Sequence, residues 1–311
     1  MTINNVNENL IKNRPVKSRA IENCAVENRR IETRPIENRL VENRPLGNRL
    51  VENNSPTHLH LGGFRLQQTT QAELQQQLRQ ALQTRRQHAL FFANTNFIVQ
   101  CQSLQEKINN ANTIIVNDGI GVDIAAWLVH RCRFPENLNG TDFVPAYLHS
   151  VRDQARVFLL GGKAGVAAQA ARTLKQEFNV EVVGTCDGYR QAQNIDQLIA
   201  IINAVQANVV LVALGNPVQE KWILEHRDRI DASLLIGVGA LFDFLAGDKP
   251  RAPKIVQYLR LEWLYRLCLE PTRLMRRYTL DIGAFLALCL RKKDDVPFFE
   301  SVREPVRKSA R

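Results

Sequence analysis

The chain has no C-x-x-C pair, no D-x-D, no G-x-G-x-x-G and no glycine-lysine-Ser/Thr sequence, and each absence removes a class of function. The six cysteines, Cys24, Cys101, Cys132, Cys186, Cys268 and Cys289, are dispersed and have no histidine cluster beside them. Zinc-ligand spacing is therefore missing, and they read as buried or incidental thiols of a reducing compartment. Without G-x-G-x-x-G and an acid about 20 residues on, the dinucleotide fingerprint is incomplete. Without D-x-D there is no carboxylate pair of the kind that holds Mg²⁺ or Mn²⁺ on a pyrophosphate, so cationic side chains would have to meet a departing phosphate. No run reaches the roughly 18 apolar residues of a spanning helix; the nearest, Leu280–Leu290, is too short and carries Asp281. The first residues contain no apolar stretch of the signal-peptide kind.

Charge is unevenly placed. Of 41 Lys+Arg and 31 Asp+Glu, residues 249–311 hold 15 and 7, residues 1–60 hold 10 and 7, and residues 61–248 are left with 16 and 17. A neutral centre with a basic C-terminal part points to one localised anionic partner, and with few aromatics it argues against a nucleic-acid binder. The first 55 residues repeat with period five, as in IENCA, VENRR, IETRP, IENRL and VENRP. Five matches neither the strand period of 2 nor the helical 3.6, so no apolar face forms. Residues 1–57 are expected to be a disordered tail on composition, with a pentapeptide-repeat coil as the structured alternative.

The expected core spans 58–248. Leu74, Leu78 and Leu82 have helical spacing. Ala89–Ile98 reads as a strand, with Asn94-Thr95-Asn96 as a polar strand end. Strands then alternate with helices: Thr113–Val116, Arg156–Leu160, Val180–Gly184, Val209–Leu214 and Leu234–Val238, with helices Gly121–Val129, Gly165–Phe178, Ile195–Val205 and Gln219–His226. This alternation predicts an α/β fold, a Rossmann-like parallel sheet with helices on both faces. After Pro253 the pattern becomes purely helical, giving a C-terminal helical appendage at 249–290 and a flexible tail at 291–311.

Ligands of open parallel sheets sit at the carboxyl ends of the strands, and polar or glycine-rich turns fall there. Gly161-Gly162-Lys163-Ala164-Gly165 leads into a helix, which suits either an anion or simply a tight turn. Gly215-Asn216-Pro217 precedes Gln219 and Glu220, polar side chains that read a base or sugar or belong to a capped surface helix. Asp118, between Asn117 and Gly119, is placed either as a general base or as the cap of the next helix. Beyond the core, Arg266, Arg273, Arg276 and Arg277 fall on one helical face if Pro271 only kinks the rod, and Arg251 and Arg260 precede them. They form either a phosphate clamp or a solvated basic face. Trp263, Leu264, Leu267, Leu274 and Met275 add an apolar side suited to an anionic bilayer or to docking on the core.

The segments NDGIGVDIAAWL, NGTDFVP, VFLLGGKAGVA, VGTCDGY, LVALGNPVQEKWI, IGVGALFDFLAGDKPRAPK and LEWLYRLCLEPTRLMRRY stand in one order. From about Leu61 to Tyr278 the chain resembles the WecG/TagA/CpsF glycosyltransferases (glycosyltransferase family 26). The resemblance implies an inverting hexosyltransferase that needs neither metal nor cofactor. It would move an N-acetylmannosamine-type residue from a UDP-sugar donor to a polyprenyl-diphosphate-linked acceptor in cell-surface polysaccharide synthesis. Asp118 matches the family's base, and Asn94 and Asn96 its catalytic turn. Gly161, Gly162, Lys163, Gly215, Gln219, Glu220 and Asp243 fall in donor-binding segments, and Arg251, Arg266, Arg273 and Arg276 match phosphate and acceptor contacts. Asn94 stands where many members have Thr, and Asn137-Leu138-Asn139 precedes Gly140-Thr141-Asp142 where many have Arg, which bears on the sugars more than on the reaction. Peripheral attachment to the cytoplasmic face of the plasma membrane is implied, with a homo-oligomer possible. The alternatives are a different hexose donor, an NAD-type oxidoreductase, or a degenerate transferase that only binds sugar nucleotide. If the repeat is merely a disordered tail, removing residues 1–55 leaves catalysis unchanged, as UDP release by the truncated chain would check.

Overall fold

The computed structural model describes residues 58–110, 112–188, 194–248, 265 and 282–292. The chain divides into two units, Met1–Glu52 and Asn53–Arg311, and all described residues belong to the second. The expectations for residues 1–57, for Arg251, Arg260, Arg266, Arg273, Arg276 and Arg277, and for Trp263, Leu264, Leu267, Leu274 and Met275 lie outside the described residues.

The first element is a hairpin that the sequence reading did not isolate, β1 (His58–Leu61) and β2 (Phe64–Gln67). The two residues between them, Gly62 and Gly63, both have positive φ, as a tight two-residue hairpin turn requires. Leu61, Phe64 and Leu66 turn inward. Helix α1 (Gln71–Thr84) starts at a capping box in which Thr70 accepts from the Glu73 N–H and Glu73 accepts from the Thr70 N–H. Its Leu74, Leu78 and Leu82 are buried, as their spacing predicts.

A six-stranded parallel sheet follows: β3 (His88–Ala93), β4 (Thr113–Asn117), β5 (Arg156–Gly161), β6 (Glu181–Cys186), β7 (Val209–Ala213) and β8 (Leu234–Gly237), in spatial order β4-β3-β8-β7-β5-β6. Its strands are apolar on both sides, as a sheet covered on both faces demands. One face packs on α2 (Thr95–Gln100), α3 (Gln105–Ile108), α4 (Ile120–His130), α7 (Ile195–Ala204), α8 (Val218–His226) and the hairpin. The other packs on α1, α5 (Gly140–Ser150), α6 (Val166–Phe178) and α9 (Leu241–Leu245). The Rossmann-like α/β fold is as the alternation predicted.

Three local differences have physical causes. The strand read over 89–98 stops at Ala93, because Asn94 turns the chain and its Oδ1 accepts from the Phe97 N–H, opening α2. Helix α5 had no assignment; Asn139 caps it through the Thr141 N–H. A further helix among the described residues, α10 (282–291), buries Phe285 and Cys289 in the same core as the hairpin, and the Lys292 ammonium donates to Gln102, 2.9 Å. The helical appendage expected at 249–290 is thus described in its final turns, which lie on the core. Among the described residues no helix is long and apolar enough to cross a membrane.

The strand ends set the crevice. From β5 the chain moves outward to β6, whereas from β7 it moves the other way to β8. The carboxyl ends of β5 and β7 therefore flank a topological switch point, where such sheets open a binding crevice. Gly161 lies there with φ +124° and its Cα packed against the Ala213 carbonyl of β7. A Cβ at this position would collide with that backbone, and the backbone conformation disfavours any side chain. Gly161→Ala is expected to lower stability by about 2–4 kcal/mol, read as a reduced urea midpoint with unchanged slope.

Candidate functional site

The parallel pairing Ala93↔Asn117 puts the ends of β3 and β4 side by side. The Asp118 N–H donates to the Ala93 carbonyl, 2.9 Å, and Asn94 Nδ2 donates to Asp118 Oδ2, 3.4 Å. The sequence left Asp118 as either a helix cap or a base. The residue in the N-cap position before α4 is Gly119, one residue after Asp118. Asp118 is half-buried, as are Asn94 and Asn96.

The loop beneath Asp118 is held by asparagines to which the sequence reading gave no role. Asn117 has no exposed surface; its Nδ2 donates to Asp123 Oδ1 and to the Glu136 carbonyl, both 2.9 Å. Asn137 Oδ1 accepts from the Gly119 N–H, 2.8 Å. The 136–139 loop is thereby tied to the turn that carries Asp118. Asn117 and Asn137 were visible in sequence only as neighbours of the NDG and GTD segments, since nothing local tells that their amides face each other's loop.

At the switch point, the Gly162 N–H donates to the Ala213 carbonyl, 3.0 Å, and its own carbonyl accepts from the Gly188 N–H, 3.1 Å. Lys163 is exposed on this turn. Gly119, Gly165, Gly215 and Gly239 ring the strand ends, and a Cβ on any of them would meet nothing within 4 Å. At these four turns the described residues leave open space beside the backbone. Asp243 lies half-buried on α9.

Between the two halves runs a buried polar chain. Asn96 Nδ2 donates to Asn216 Oδ1, 3.3 Å. Asn216 Nδ2 and Gln219 Nε2 both donate to Glu220 Oε1, at 2.6 and 2.8 Å. Gln219 Oε1 in turn accepts from the Gly239 N–H, 3.0 Å. Gln219 rests against β8 because Gly237 has no side chain; a Cβ there would come within 2.9 Å of Gln219 Nε2. Glu220 is 0 % exposed, so it does not belong to a solvated helix surface. Both Gln219 and Glu220 turn inward and brace the strand ends. The signal missed was Asn216, whose amide supplies the link between β3 and β7.

Burial pushes the Glu220 carboxyl above the ordinary glutamate range, against the pull of its Gln219 and Asn216 hydrogen bonds and the Cys101 thiol. Burial, together with the charge of Glu220, raises the Cys101 thiol well above its usual value. Cys186 and Cys289 are pushed up to about 11 and about 12, mainly by burial. These three thiols are inert packing groups, and Cys132 is exposed.

A doubly wound parallel sheet with polar and glycine-rich turns at its strand ends, and a half-buried carboxylate at one of them, is the setting in which α/β proteins bind their ligands. The sequence model described as the glycosyl transferase WecG/TagA/CpsF family matches residues 59–296. The chain belongs to this family, and is a glycosyltransferase of polysaccharide biosynthesis.

The network has a measurable signature. A native state that holds the Glu220 proton more tightly than the unfolded chain makes stability fall as pH rises. Compared with Glu220→Gln, the wild type should lose up to about 1.4 kcal/mol per pH unit, starting near the ordinary value of 4.5 and continuing until the folded carboxyl ionises. Glu220→Leu, which strands two amides, should be about 2–4 kcal/mol less stable than Glu220→Gln at every pH. Urea titrations across pH check both.

Proposed function

We propose that the chain is an inverting, metal-independent transferase that moves an N-acetylhexosamine-type sugar, N-acetylmannosamine-like, from a UDP donor to a polyprenyl-diphosphate-linked acceptor. The observation that carries this reading is Asp118, at the end of β4, within reach of the Asn94 amide and beside the open turn at Gly119. Asp118 takes the proton of an acceptor hydroxyl as that oxygen attacks the anomeric carbon; the bond to the UDP oxygen breaks, and the electron pair leaves with UDP. Asn94 Nδ2 orients the carboxylate, and Asn96 Nδ2 reaches across to Asn216 after β7.

The donor lies along the row of strand ends, with its nucleotide at the β5/β7 switch point near Gly161, Gly162, Lys163 and Gly215. From β5 to β4 is four strand spacings, about 19 Å, a distance that an extended sugar nucleotide has to bridge. Backbone N–H groups at the glycine turns and the arginines Arg251, Arg266, Arg273 and Arg276 meet the charge on the leaving diphosphate. Asp243 on α9 contributes to the donor side. The acceptor lipid places the enzyme on the inner face of the plasma membrane.

Asp118→Asn keeps the Asn94 contact and removes the proton acceptor. It should lower the rate of acceptor-dependent UDP release by about 10²–10⁴-fold while leaving UDP affinity, measured calorimetrically, near that of the wild type. A folded variant with full activity would remove Asp118 from the role of base.

A further inference from the structure

Six large apolar side chains stand exposed among the described residues, and three of them share one helix: Ile124, Trp127 and Leu128 on α4, at 47 %, 45 % and 41 % exposure. The other three, Ile201, Val218 and Leu290, are on different helices, and single exposed residues of that kind need no explanation. On α4 the offsets 0, 3 and 4 form one stripe, continued at offset 7 by Arg131. The Arg131 guanidinium lies 5.0 Å from the centre of the Trp127 ring. Arg133 is exposed just beyond.

The nearby acids are turned elsewhere: Asp123 accepts from Asn117, and Glu136 accepts from the Gln71 N–H, 2.8 Å. The opposite face of α4, Val122, Ala125, Ala126 and Val129, is buried, and His130 Nε2 donates to the His60 carbonyl, 2.6 Å. The helix is thus fixed to the hairpin with its apolar stripe outward and its basic residues at the stripe's end.

We infer that the α4 stripe is a membrane-docking surface, with Ile124, Trp127 and Leu128 entering the headgroup boundary of an anionic bilayer and Arg131 and Arg133 facing its lipid phosphates. An apolar stripe with a tryptophan and flanking arginines has the chemistry of an interfacial helix. Three side chains fall far short of the roughly 20–30 residues a side that a stable protein interface takes, which favours lipid over a second copy of the chain. The stripe also begins about 6 Å along α4 from its first residue, and that first residue directly follows Asp118 and Gly119. Docking here brings the mouth of the site to the depth of a lipid-linked diphosphate. This inference rests on the lipid-linked acceptor proposed above.

The chain has three tryptophans, Trp127, Trp222 and Trp263, so Trp222→Phe with Trp263→Phe leaves Trp127 as sole emitter. The full chain is titrated with phosphatidylcholine vesicles, with and without phosphatidylglycerol, and with brominated acyl chains. Trp127 emission should shift to the blue and be quenched by bromine on anionic vesicles, less so at high salt. In the unmodified background, Ile124→Glu with Leu128→Glu should raise the lipid concentration for half-maximal vesicle binding by at least about tenfold. UDP release in detergent should stay unchanged, and Ile201→Glu should bind vesicles as the wild type does. Vesicle binding with no change in Trp127 emission, or undiminished in the double variant, would overturn the inference. So would emission already blue-shifted without lipid in a dimer that the double variant dissociates. Lipid insertion of Trp127 in a chain that releases no UDP from any donor would leave this surface standing and remove the transferase reading instead.

Discussion

One carboxyl group with no contact to water holds three strand ends of this protein together. Glu220 Oε1 accepts from Asn216 at the end of β7 and from Gln219, whose other amide atom fixes the Gly239 turn after β8. Through Asn216 the same chain of bonds reaches Asn96, in the turn that follows β3. A buried polar network of this kind stabilises only when its members are met. Burial raises the proton affinity of Glu220, and its neutral form is compatible with two amide donors on one oxygen. The turn after β7 and the turn bearing Asn94 and Asn96 are thereby linked along the sheet.

In the proposed mechanism this link matters because the two ends of the site do different work. At the β5/β7 end the chain presents glycine turns and backbone N–H groups; at the β3/β4 end it presents side-chain amides and Asp118. A sugar transfer needs a diphosphate held still at one place and a hydroxyl deprotonated at another, with the anomeric carbon between them. The described core has few cations near its strand ends besides Lys163. Most of the basic surplus of the chain lies after residue 248, so in the proposed mechanism the core orients the reactants while the C-terminal region supplies charge.

Much of the fold was legible because its cues are local. Apolar runs of five or six residues alternating with amphipathic segments determine a parallel sheet, and Leu74, Leu78 and Leu82 locate a helix by spacing alone. The pairing of β3 with β4 brings Asn94 beside Asp118. What escaped depended on partners distant in sequence. Nothing around Glu220 announces that Asn216 and Gln219 will meet one of its oxygens inside the core, so it read as a donor-binding residue or as part of a capped surface helix. Asn139 caps α5 with an ordinary asparagine, and Pro145 within that helix masked it. The hairpin was hidden by its brevity, its four-residue strands lying next to the repeat tail.

The most direct measurement is UDP release by the purified wild-type chain from UDP-N-acetylhexosamines in detergent, with EDTA present, with and without a polyprenyl-diphosphate-linked N-acetylglucosamine. The account predicts release that requires the acceptor and persists in EDTA. Release abolished by EDTA would contradict the metal-independent mechanism. Failure to bind UDP at all would contradict the placement of a sugar nucleotide along the strand ends.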